Sequence, residues 1–127
     1  MHYLLIAISI FVPPLWFITV PYILYLIITR RKRREKYAAE GLIWETGGLM
    51  SGGNIDIDRA LSLYRKSCSM GSATGCFYLA QMYKFGNGVP ESKIDYNKYM
   101  EKSKELDPEV YCYLQDIIDK SDADDLA

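Results

Sequence analysis

The chain has 127 residues, with 15 basic and 16 acidic side chains, three cysteines and a single histidine, His2. The balance between charges is uneven along its length: all 16 acids lie at Glu35 or later, against ten of the bases, so that part carries about −6. Such a balance excludes a nucleic-acid partner, whose phosphates it would repel.

Residues Leu4 to Ile28 carry no charged side chain and are followed by Arg30, Arg31, Lys32, Arg33 and Arg34. A helix over 25 residues rises roughly 37 Å at about 1.5 Å per residue, against about 30 Å of bilayer hydrocarbon. This predicts a transmembrane anchor over residues 3–29 and a basic juxtamembrane collar over 30–36 that contacts anionic headgroups. The collar orients the anchor with the amino terminus out. The expected location is therefore the inner (cell) membrane, single-pass, with the remainder on the cytoplasmic side. A cleaved signal peptide is disfavoured, because basic residues stand where its small-residue cleavage site would fall. Pro13, Pro14 and Pro21 predict kinks.

Beyond the collar the pattern is helical, with no period-two run of β-branched residues. The segment from about Glu35 to Met50 is helix-compatible, weakened by Gly47 and Gly48. An amphipathic stretch from about Asp56 to Met70 ends at Gly71, and Ser72 can cap the next helix, about Ala73 to Phe85. Gly86-Asn87-Gly88-Val89-Pro90 ends that one. Ser92 and Asp95 have capping-box spacing. Asp107-Pro108-Glu109 supplies a cap, a proline at the first helical position and an acid that suits the dipole, opening a last helix to about Lys120. The end of the chain, 122–127, reads as an acidic, solvated tail.

The helix pairs recur. A shift of 36 lays Asp56 to Cys68 on Ser92 to Lys104, where Lys66-Ser67 meets Lys102-Ser103, and a shift of 35 lays Tyr78-Leu79 on Tyr113-Leu114. The run Gly75 to Pro90, through Leu79, Ala80, Tyr83, Gly86, Gly88, Val89 and Pro90, resembles the signature of the Sel-like repeat (SLR) family, tetratricopeptide-related α/α repeats of about 36 residues. Ala60, Tyr64 and Lys66 are similar to the second helix of such a repeat. The expected fold class is thus all-α: the transmembrane helix, then a short α/α solenoid of about two and a half SLR repeats over 37–121.

The resemblance extends to the cysteines. Cys68 and Cys76 have the C-x7-C spacing of the cysteine-containing, secreted bacterial branch, which implies a disulfide between them if the domain is exported. The inward orientation argues instead for two reduced thiols packed at a helix interface. Cys112 has no partner in either register and reads as a free, half-buried thiol. Three scattered cysteines and a remote histidine do not make a metal site, and no cofactor motif is present.

Catalysis finds little support. No histidine follows His2, so the commonest general base is missing from the repeats, and Asp56/Asp58 or Glu101/Glu105 are explained by a solvated helix face. The chain is read as no enzyme. The expected function is a membrane-anchored protein–protein interaction module; short α/α solenoids offer a concave binding surface. Two alternatives follow from the resemblance: an immunity protein neutralising a secreted antibacterial toxin such as a phospholipase effector, and a cell-envelope hydrolase. The partner in the first two cases is another protein. Candidate partner-binding residues are Phe77, Gln81 and Lys84, three to four apart on one helix, with Tyr113 and Asp116 on the last helix. Phe77 is equally suited to packing on the following helix. Tyr111, Leu114, Ile117 and Ile118 make the last helix more apolar than a terminal cap needs, so it either bends back over the core or is covered by a partner.

Overall fold

Local capping chemistry sets where the helices begin. Asp56 accepts from the Arg59 amide, Ser72 from Gly75, Ser92 from Asp95 and Asp107 from Val110. Each cap satisfies a backbone donor that the first turn leaves free. The computed structural model describes residues 2–48 and 52–126, with side chains from residue 16 onward. The described residues form five helices and no strand: α1 (His2–Thr46), α2 (Ile57–Ser69), α3 (Ala73–Phe85), α4 (Lys93–Leu106) and α5 (Pro108–Asp125). The molecule is all-α. α5 runs on through residues 122–125, part of the stretch that the sequence marks as a solvated tail.

The chain divides into two units, Met1–Lys32 and Arg33–Ala127. In the first, α1 exposes its large apolar side chains from Trp16 to Ile28. Among the described residues, no helix is long and apolar enough to cross a membrane. This overturns the transmembrane helix expected over residues 3–29. Within the residues whose side chains are described, the apolar part of α1 begins at Trp16 and is closed after Thr29 by Arg30–Arg34. Residues 3–15, on which the expectation also rested, have side chains outside the described set.

The second unit contains residues 33–46 of α1 and helices α2 to α5. α2 and α4 start 36 residues apart, and α3 and α5 start 35 apart. One core lies between α2 and α3, with Ala60, Leu61, Tyr64, Leu79, Met82 and Val89 buried in it and Trp44 of α1 packed against it. A second joins α3 to α4 and α5: Phe77, Ala80 and Met100 are covered by Tyr96, Tyr111, Leu114 and Ile118. α5 therefore bends back over the core, although none of its residues is fully buried.

Two serines fasten successive helices. Ser67 and Ser103 are both fully buried. The Ser67 hydroxyl donates to the Arg34 carbonyl at 2.7 Å, and the Ser103 hydroxyl donates to the Ala73 carbonyl at 2.8 Å. Residues that superpose under the 36-residue shift thus make the same kind of bond to the preceding helix. Small residues permit these approaches. A Cβ on Gly75 would lie 2.5 Å from Ser67 Oγ, and one on Gly41 would lie 2.6 Å from the Tyr64 ring.

Cys68 and Cys76 are joined by a disulfide that links α2 to α3. This corrects the expectation of two reduced thiols: the turn through Met70, Gly71 and Ser72 brings the end of α2 beside the start of α3. Cys112 is free and exposed rather than half-buried, because α5 turns Tyr111 and Leu114 inward instead.

A groove between three helices as candidate functional site

The sequence-predicted candidates separate into interior and surface. Phe77 is 1 % exposed and packs edge-on against both Tyr78 and Tyr111, with ring centroids 6.1 Å apart in each pair. It is a core residue and presents no anchor to a partner; its alternative role, packing on neighbouring helices, is the one it fills. Lys84 is exposed, with its ammonium 5.1 Å from the centre of the Phe85 ring. Tyr113 is 67 % exposed on the outer face of α5. Asp116, also on that surface, accepts from Lys120 at 2.7 Å. These residues do not form one site.

Gln81 does belong to a concave feature. A groove of about 340 Å³ is lined by Leu42, Glu45 and Thr46 of α1, Tyr78, Gln81 and Phe85 of α3, and Ile118, Ser121 and Asp122 of α5. All three helix segments lie within the second unit. The α3 contribution is a stripe at i, i+3 and i+7, which puts the three side chains on one helix face. Tyr78 stacks on Tyr64 with centroids 5.3 Å apart, which anchors that side of the groove to the core.

The electrostatics are one-sided. Glu45 and Asp122 are the charged residues of the lining, and no cationic side chain is among it. Glu45 accepts from the Tyr64 hydroxyl at 2.6 Å. Burial, and then this hydrogen bond and the Glu45 charge, push the Tyr64 phenol well above its ordinary value. The Tyr78 phenol is raised as well, first by burial and then by the charge of Glu45. Both tyrosines stay neutral donors at any physiological pH. Gln81 Oε1 is buried and accepts no hydrogen bond, an unusual state for a polar atom out of water.

The lining supplies two carboxylates, the hydroxyl-bearing side chains of Thr46, Tyr78 and Ser121, and aromatic and aliphatic walls. It contains no histidine and no cysteine, and among the described residues no three His, Cys, Asp or Glu side chains are placed to hold a metal ion. Such an arrangement sets hydrogen-bonding groups beside apolar surface, as binding grooves do. Sequence reasoning found Gln81 as a binding candidate, marked Ile118 only as part of an apolar face, and missed the other seven residues. The available signal was the Tyr78-Gln81-Phe85 stripe, one residue round from the Phe77-Gln81-Lys84 stripe chosen from the sequence. Comparison with protein-family models, with curated proteins and with solved structures finds no match to this chain.

Proposed function

We propose that residues 33–126 act as a small helical-repeat binding module that holds a segment of a partner protein in the groove between α1, α3 and α5. The observation that carries this reading is the concave, partly apolar groove that α1, α3 and α5 form together. The 35- and 36-residue spacing of helix starts and the matching serine bonds support an α/α repeat of the Sel-like kind. Repeat stacks of this type present concave surfaces to other macromolecules. The buried Cys68–Cys76 bond supports an oxidising surrounding for this unit, since such bonds persist there.

Site-specific photocrosslinking tests the proposal. A benzophenone amino acid in place of Phe85, at the groove, is expected to yield a discrete protein adduct in cells. The same group in place of Ile94, exposed on α4 outside the groove lining, is expected to yield none. The Phe85 adduct should vanish when Leu42→Lys obstructs the groove. Equal adducts from both positions, or none from Phe85, would refute the binding role.

A further inference from the structure

We propose that Asn87 is a site of spontaneous deamidation, closed into a cyclic imide by the Gly88 amide, and that its isoaspartyl product draws Val89 out of the core. The inference concerns the turn between α3 and α4 and is independent of the groove.

Three observations carry it. The first is accessibility. Asn87 and Gly88 are both exposed, and among the described residues nothing bonds to the Asn87 side chain. The second is the nucleophile. The Asn87 amide is spent on the Met82 carbonyl and the Ser92 amide on that of Tyr83, but among the described residues nothing accepts from the Gly88 amide. That nitrogen is the atom that must reach the side-chain carbonyl carbon of Asn87. The third is the lack of obstruction. Gly86 and Gly88 flank the asparagine at positive φ, 67° and 68°, and neither carries a Cβ to crowd the attacking nitrogen. The other two asparagines lack this set. Asn97 lies within α4, where the Lys98 amide belongs to the helical ladder. Asn54 is followed by Ile55, whose branched side chain crowds its nitrogen.

The chemistry needs only water. The Gly88 nitrogen bonds to Asn87 Cγ and gives up its proton; the Cγ–Nδ2 bond breaks, and the side-chain nitrogen departs with that proton as ammonia. Water then opens the imide. Addition at Cγ restores the ordinary backbone with an aspartate, and addition at the main-chain carbonyl carbon routes the backbone through Cγ as isoaspartate. One water is consumed and one ammonia released, with no change of oxidation state. The isoaspartyl form lengthens the main chain by one atom just before Gly88. That turn is already close against α2: a Cβ on Gly88 would lie 2.8 Å from Ile57 Cγ2, and Val89, the next residue, is buried in the α2–α3 core. The new carboxylate also joins those of Asp58 and Glu91 beside the same turn.

The test uses the full chain, kept in solution by a neutral detergent that covers the exposed apolar residues of the first unit. It is incubated for several weeks in mildly alkaline buffer, both native and in urea. Peptide mapping by mass spectrometry is expected to show a gain of one mass unit at Asn87 in the native chain, with Asn54 and Asn97 unchanged. A methyltransferase specific for isoaspartate should label the same peptide. The native rate should lie within several-fold of the rate in urea. Asn87→Gln, which would have to close a larger ring, should lose the labelling. Reacted protein, separated by its extra charge, should unfold at a lower urea concentration than unreacted protein. A native chain that stays unlabelled at Asn87 would overturn the site, whatever happens in urea. Reaction at Asn54 or Asn97 as fast as at Asn87 would overturn the part given to the free Gly88 amide. Equal urea midpoints for the two forms would overturn the displacement of Val89.

Discussion

Tyr64 ties three helices together at one point. Its hydroxyl reaches Glu45 on α1, its ring stacks on Tyr78 of α3, and Gly41 leaves room for the ring edge. Tyr64→Phe is expected to cost about 1.5–3 kcal/mol, the range for a hydrogen bond to a charged group. The same residue sets a response to alkali. Its folded-state value lies above the ordinary one near 10, so the unfolded chain loses this proton first as pH rises. Its contribution is complete below about pH 10 and declines above it. Urea unfolding at pH 8, 10 and 11 should show stability falling over the last interval, more steeply in the native chain than in Tyr64→Phe. Gly75 makes a second residue-scale prediction. A methyl there meets Ser67 and the Cys68 backbone, so Gly75→Ala should destabilise by about 1–3 kcal/mol, as overpacking does. Thermal unfolding of that variant is the check.

Elements are held by different means. α2 and α3 share the disulfide, which closes a separation of eight residues. A loop that short corresponds to about 2–2.5 kcal/mol of unfolded-state entropy. The double substitution Cys68→Ser with Cys76→Ser should lower the urea midpoint accordingly, and reductant should lower that of the native chain while leaving the variant unmoved. Helix boundaries were the most legible part of the sequence, because Asp56, Ser72, Ser92 and Asp107 act through atoms three residues away. α3 matched its expected limits for that reason. The extent of α1 was not legible. Its end is set by Gly47, which adopts a left-handed conformation with φ 67°, whereas nothing local announces that the basic run Arg30–Arg34 continues the helix. The continuation of α5 through Asp122, Asp124 and Asp125 was hidden too, since acids near a carboxyl end oppose the helix dipole.

For the whole molecule, the distinction between inside and outside is what single-helix patterns conveyed least. Phe77 and Tyr113 looked alike as candidate anchors, yet one sits between α3, α4 and α5 and the other faces away. Phe77→Ala should cost about 3–5 kcal/mol, as a cavity in a packed interior does, while Tyr113→Ala should stay within about 0.5 kcal/mol. Parallel chemical-denaturation curves of the two variants measure both. The groove escaped sequence reasoning for a related reason. Glu45, Gln81 and Ile118 meet only through tertiary packing, and no local spacing relates them.

The buried hydroxyls of Ser67 and Ser103 have one more implication, for anyone wishing to lengthen the protein. Each acts as a peg that drops into a backbone notch one storey below, and so dictates at what height the next pair sits. A grafted unit copied from this chain should therefore keep its peg. Exchanging the serine for an alanine of near-equal bulk would preserve the greasy filling and yet let neighbouring storeys slide.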